Sequence, residues 1–90
     1  MKRVYKYPVE IADVQTILLP IGAQILSVQE QNGNAYLWAI VNPETDSEPR
    51  RFRLYGTGHN IETENLLKFV GTFQLLGGRL VFHLFEEVLR

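Results

Sequence analysis

The sequence predicts an all-β fold, a small sandwich or partly open barrel of about seven short antiparallel strands. Three observations carry that prediction. Asn32-Gly33 joins the apolar runs 24–31 and 34–41, and Asn-Gly between two such runs is the strongest short-range hairpin signal. Gly77-Gly78 joins a second pair of runs in the same way. Turn-forming residues then recur at fairly even spacing along the rest of the chain, with no long helical period between them.

Counting outward from Asn32-Gly33 as the centre of a type I′ turn sets a register. Gln31 faces Asn34, Glu30 faces Ala35, Gln29 faces Tyr36, Val28 faces Leu37, Ser27 faces Trp38 and Leu26 faces Ala39. Strand side chains alternate with period two, so these pairs sort onto two faces. One holds Leu26, Val28, Leu37, Ala39 and Val41 and reads as core. The other holds Ile25, Ser27, Gln29, Tyr36, Trp38 and Ile40, an aromatic surface interleaved with small polar groups.

The remaining elements follow in chain order. Residues 4–9 alternate and read as a first strand, in which Pro8 suits an edge or an end. Residues 14–19 read as a second strand, and Pro20-Ile21-Gly22-Ala23 carries turn chemistry. The central ribbon supplies the third and fourth strands. Residues 42–49, with two prolines and no apolar pattern, read as a solvated loop. Residues 50–55 form the fifth strand, with Phe52 and Leu54 on one face and Arg51, Arg53 and Tyr55 on the other. Residues 56–60, Gly-Thr-Gly-His-Asn, make a second loop. Residues 61–68 read as loop with room for one helical turn capped by Thr63. Residues 69–75 and 80–85 flank Gly77-Gly78 as the sixth and seventh strands. Their register sets Phe73 opposite Phe82 and Leu75 opposite Leu80 as core, with Thr72 opposite His83, Gln74 opposite Val81 and Val70 opposite Phe85 on the alternate face. Residues 86–90 read as a frayed tail or short cap.

Composition bounds the function. Ninety residues make a single β-rich domain, 1–90, with one modest core. At 46% hydrophobic and 21% charged, the chain falls outside the disordered and membrane-spanning classes. The basic start runs into Tyr5-Lys6-Tyr7 instead of a signal core, so cytoplasmic residence is expected. The absence of cysteine excludes disulfides, thiol catalysis and cysteine-ligated metal. A net charge of −1 provides no field for nucleic acid or membrane, so neither is an expected partner and any anion site is local. Apolar character on both faces of the hairpins points to homo-oligomerisation as one way of covering them.

The strongest chemical candidate is Arg51, Arg53 and Tyr55 running into Gly56-Thr57-Gly58-His59. Two arginines spaced by two project from one strand face, where their forks suit phosphate oxygens. The glycine-containing turn and the Thr57 hydroxyl suit an anion nest beside them, with His59 as a further donor. The competing explanation is a solvated basic face ending in an ordinary turn, since Gly-Thr-Gly-His is neither a P-loop nor a dinucleotide fingerprint. Tyr36 and Trp38 suit stacking on a base or ring, and the competing explanation is packing against another strand or subunit. Together with the arginine strand they would make a pocket with an aromatic floor and a cationic rim. His59 and His83 lack a third ligand and any metal-binding spacing, Ser27 lacks motif-supported partners, and Glu86-Glu87 are consecutive. No enzyme, metal or cofactor is therefore expected.

The ordered set Tyr5-Lys6-Tyr7-Pro8, Gly22 to Gln29 (GAQILSVQ), Leu37-Trp38-Ala39, Arg51-Phe52-Arg53, Gly56-Thr57-Gly58-His59, Gly71-Thr72-Phe73-Gln74, and Gly77-Gly78 running to Val81-Phe82-His83-Leu84-Phe85-Glu86 resembles a family of small phage- and prophage-encoded proteins classed as a domain of unknown function. The resemblance covers nearly the whole chain. It implies a compact accessory protein of a bacterial virus acting in the host cytoplasm, and it brings no catalytic residues. With the residues above, it leads to the expectation of a non-catalytic binding protein for a phosphate-bearing small molecule, such as a nucleotide signal of host defence. The alternative is a protein–protein module, either an inhibitor of a host protein or a structural accessory.

Overall fold

Alternation and turn chemistry resolve into seven strands in the computed structural model, which describes residues 1–62 and 66–88. They are β1 (Arg3–Val9), β2 (Val14–Pro20), β3 (Gln24–Gln31), β4 (Asn34–Val41), β5 (Ser47–Gly56), β6 (Leu67–Leu75) and β7 (Leu80–Glu87). Two antiparallel sheets result, ordered β1-β4-β3 and β2-β5-β7-β6. They stack as a slab of 39 × 34 × 16 Å, so the architecture is a sandwich with no closed barrel. Thr63 as a helix cap and the end of the tail, Leu89 and Arg90, lie outside the described residues.

The core is the inward half of each alternating strand. Ala35, Leu37, Ala39 and Val41 of β4 are buried with Val28 of β3 and Val9 of β1. From the other sheet come Ile17, Leu19, Phe52, Leu54, Phe73 and Leu84. Asn32 (φ 53°) and Gly33 (φ 86°) both take the positive φ that a type I′ turn requires, and Glu30 Oε2 accepts the Gly33 N–H at 2.6 Å. The expected pairs from Gln31↔Asn34 to Ser27↔Trp38 are all present.

Beyond Ser27 the register departs from the expected one. A bulge at Leu26 makes Ile25, instead of Leu26, the partner of Ala39. One extra residue reverses the parity of everything past it. Ile25 therefore packs against the core, and Leu26, expected inside, is 45% exposed. The second hairpin behaves alike. Phe73↔Phe82, Thr72↔His83, Gln74↔Val81 and Leu75↔Leu80 pair as expected, but a bulge at Val70 sets Phe69 opposite Phe85 in place of Val70. Leu80, expected in the core, is largely exposed at the hairpin tip, where Leu76, Gly77 and Gly78 all take positive φ.

Two segments read as irregular are strand. β5 begins at Ser47, within the expected 42–49 loop, and pairs Leu18↔Pro49 and Pro20↔Ser47. Pro49 is tolerated there because β7 accompanies β5 only along Phe52–Gly56, so the proline faces a partner strand on one side alone. β7 runs to Glu87, so the glutamates of the presumed tail are held in the sheet.

The two sheets come closest where β3 passes β6. A Cβ added at Gly71 would stand 3.0 Å from Val28 Cγ1 and 3.5 Å from the Val28 backbone nitrogen. Gly71→Ala is therefore expected to destabilise by about 1–3 kcal/mol through overpacking. At an unobstructed strand glycine the same change stabilises by about 0.4–1 kcal/mol. Urea unfolding measures the sign, and an unchanged or higher midpoint would show that the two strands stand apart.

Candidate binding surface

Parity decides where the expected site residues lie. Phe52 and Leu54 point inward, so Arg51, Arg53 and Tyr55 share the outer face of the four-stranded sheet. Tyr36 and Trp38 alternate with the buried Leu37 and Ala39, so they share the outer face of the three-stranded sheet. The core lies between the two groups. The expected combination of an aromatic floor from Tyr36 and Trp38 with a cationic rim from Arg51 and Arg53 is not assembled within one chain.

On the three-stranded sheet, β1 lays Lys6 beside Trp38. The Lys6 ammonium stands 4.4 Å from the centroid of Tyr36 and 5.8 Å from that of Trp38, and donates to Gln31 Oε1 at 2.6 Å. Both rings are thus partly covered by a cation from their own sheet. Trp38 Nε1 is buried without a hydrogen-bond partner among the described residues.

On the four-stranded sheet, the β5–β7 register carries Glu87 to the arginines. Arg51 Nε donates to Glu87 Oε1 at 3.0 Å and Arg53 Nε to Glu87 Oε2 at 2.7 Å. One carboxylate therefore aligns two guanidinium groups by their Nε edges, leaving a local charge of +1 on the three side chains. The terminal nitrogens of both forks have no carboxylate partner among the described residues. The Arg53 hydrogen bond, and then that of Arg51, holds the Glu87 carboxyl below its ordinary value. The bond to Glu87 also raises the Arg53 guanidinium above its own. Beside them, edge-to-face contacts link Tyr55 to Phe85 (5.8 Å between centroids) and Phe85 to Phe69 (5.4 Å). Phe69, at the outer end of this row, is 57% exposed.

The Gly56–His59 turn is mostly committed internally. The Thr57 N–H donates to Val81 O at 3.3 Å and the His59 N–H to Gly56 O at 3.1 Å. The Gly56 N–H donates to His59 Nδ1 at 3.2 Å, and the imidazole occupies the space a side chain at 56 would need. Of the expected nest, only the Gly58 N–H has no partner among the described residues. Thr57 Oγ1 lies 2.8 Å from His83 Nε2, and Thr72 Oγ1 lies 2.9 Å from His83 Nδ1. Hydroxyls donate or accept, so the two threonines satisfy His83 in any tautomer. No group of three or more potential metal ligands comes together among the described residues. No helix among them is long and apolar enough to cross a membrane.

Sequence reasoning missed Glu87, Phe85 and Phe69 as members of this surface. The alternation in β5 and β7 contains the signal, because pairing those two strands puts Glu87 in line with Arg51. The pairing itself joins segments 36 residues apart, as the separation of Arg51 and Glu87 shows.

The chain belongs to the family described as a domain of unknown function (DUF7352), which matches residues 1–90. No curated protein and no solved structure matches it.

The clamp has a pH signature. A carboxyl depressed in the folded state stabilises the fold above its unfolded pKa, near 4.3 for glutamate, and that contribution is lost as pH falls through the lower folded value. Glu87→Gln is thus expected to melt below the wild type at neutral pH, with the two curves converging in acid. Melting temperatures measured from neutral pH into the acid range test this, and a constant offset would show that Glu87 does not act as an ionised clamp.

Proposed function

Taking membership of that family as the premise, we propose that the protein is a non-catalytic binding domain that captures a phosphate-bearing small molecule of the nucleotide kind. The capturing surface is the outer face of the four-stranded sheet. The observation that supports this reading is the shared Glu87 carboxylate. It orients Arg51 and Arg53 together by their Nε edges and leaves their terminal nitrogens to donate elsewhere. Two aligned guanidinium forks suit the oxygens of a phosphate, and prior alignment lowers the entropy lost on binding. The adjoining row of Tyr55, Phe85 and Phe69 offers a ring face for a base, a role first assigned to Tyr36 and Trp38. Phage origin and action in the host cytoplasm are part of this proposal and rest on the sequence resemblance.

A second reading has its own observation. The surface is an open sheet face combining arginine, tyrosine and phenylalanine, the residue types enriched where proteins meet. A protein partner, or a second copy of the chain in a homo-oligomer, would cover the exposed Phe69 directly. Small-ligand sites are concave as a rule, so the first reading gains if a second copy walls the face.

Calorimetric titration against a panel of nucleotides separates the readings. The first predicts saturable binding that weakens roughly tenfold to a hundredfold on Arg53→Ala, the loss of charge-assisted hydrogen bonds, with the fold intact by circular dichroism. Absence of heat with every nucleotide, together with a host protein that co-purifies and is released by Phe69→Ser, would replace it with the second.

A further inference from the structure

A concavity of about 430 Å³ lies away from the arginine face, at the seam where β3 of one sheet runs beside β6 of the other. Its origin can be read from the backbone. The two strands meet at Val28 and Gly71, where the glycine leaves just enough room. Next to that contact each strand carries its bulge, at Leu26 in β3 and at Val70 in β6. A bulge bends its strand and interrupts pairing. Two bulges at the same level part the strand edges and open the cleft, and Leu26 and Val70 both line it.

The floor of the cleft is a built polar element. Arg50, on the inward parity of β5, forks onto Glu86, with Nη2 donating to Oε1 at 2.8 Å, while its Nη1 donates to Ala23 O at 2.6 Å. This pair is three-quarters or more shielded from solvent, with side-chain exposures of 21% and 15%. The hydrogen bond to Glu86 raises the Arg50 guanidinium above its ordinary value in spite of burial. The two charges cancel. At the rim stands Lys68, opposite Glu86 in the β6–β7 register, and its ammonium makes no hydrogen bond or ion pair among the described residues. Ile25 and Leu26 from β3 and Phe69 and Val70 from β6 add apolar side chains to a lining whose exposed area is mainly polar.

We infer that this seam is a binding site for a small organic anion, its charged group on Lys68 and a compact apolar body between Leu26 and Val70. The volume falls within the range of small-molecule sites, and the polar lining with apolar side chains on two sides suits a ligand that carries both a charge and a small apolar body. The arginine face described above takes no part in it beyond the shared Phe69, so either site can exist without the other.

Titration of nitrogen-15-labelled protein with phenyl phosphate, followed by amide NMR, tests the assignment. Saturable shifts are expected at the amides of residues 24–26 and 68–70, and Lys68→Met is expected to weaken binding about tenfold, the loss of one charge-assisted contact. Leu26→Asp, a change at an exposed position that adds a negative charge to the wall, is expected to abolish the shifts. Arg51→Ala leaves the shifts at residues 24–26, which belong to the seam alone, intact, and this keeps the result separable from failure of the arginine-face reading. Shifts that do not saturate, that are as large in Lys68→Met, or that phenol produces equally well would overturn the inference.

Discussion

Everything placed on either surface depends on two-residue parity counted from the reversals at Asn32-Gly33 and Gly77-Gly78. In a sandwich this small, each strand has few inward positions, and a slip of one residue would exchange buried leucines for exposed glutamines. Positive φ at both residues of the first reversal and at both glycines of the second sets the count. Val28 then meets Leu37, Phe73 meets Phe82, and the faces of β4 and β7 follow. The arginines reach solvent together because Phe52 and Leu54 between and beyond them must be buried.

The two bulges are the places where that count is deliberately broken, and they explain what the fold presents. Without them Leu26 would have completed the core face and Val70 would have stood opposite Phe85. With them, Leu26 and Phe69 turn outward and the edges of the two sheets separate at one end while touching at Gly71. The Arg50–Glu86 pair sits where that separation would otherwise expose the end of the core. Strand edges are prone to unwanted pairing, and a bend with charge beside it is one way of preventing it. The same device leaves a cleft.

Much of the fold was legible in the sequence because its signals are local. Asn-Gly, Gly-Gly and the alternation of Arg51, Phe52, Arg53, Leu54 each act within a few residues. What was not legible is of two kinds. Bulges are one kind, and the two differ: Gly71, alone inside the β6 run, is a sign of the one at Val70, whereas nothing about Leu26 distinguishes it from a regular strand residue. Pairings between distant strands are the other kind. β1 on β4 brings Lys6 over Tyr36 and Trp38, and β5 on β7 brings Glu87 to Arg51 and Arg53. Neither follows from periodicity, since each strand alone is compatible with several neighbours. Residues 47–49 and 86–87 read as loop and tail because they are the ends of β5 and β7, and a strand end can pair without an apolar pattern. The candidate site was therefore half legible: the arginines and Tyr55 were, while their carboxylate and their neighbouring rings were not.

The central claim is that one ionised carboxylate holds Arg51 and Arg53 side by side on the outer face of the four-stranded sheet. The most direct measurement is the exchange with water of the arginine Nε protons, followed by NMR. Two protected Nε signals, both lost in Glu87→Gln, are the result this account predicts. Nε protons of Arg51 and Arg53 that exchange as fast as that of Arg3, which has no ion pair among the described residues, would contradict it.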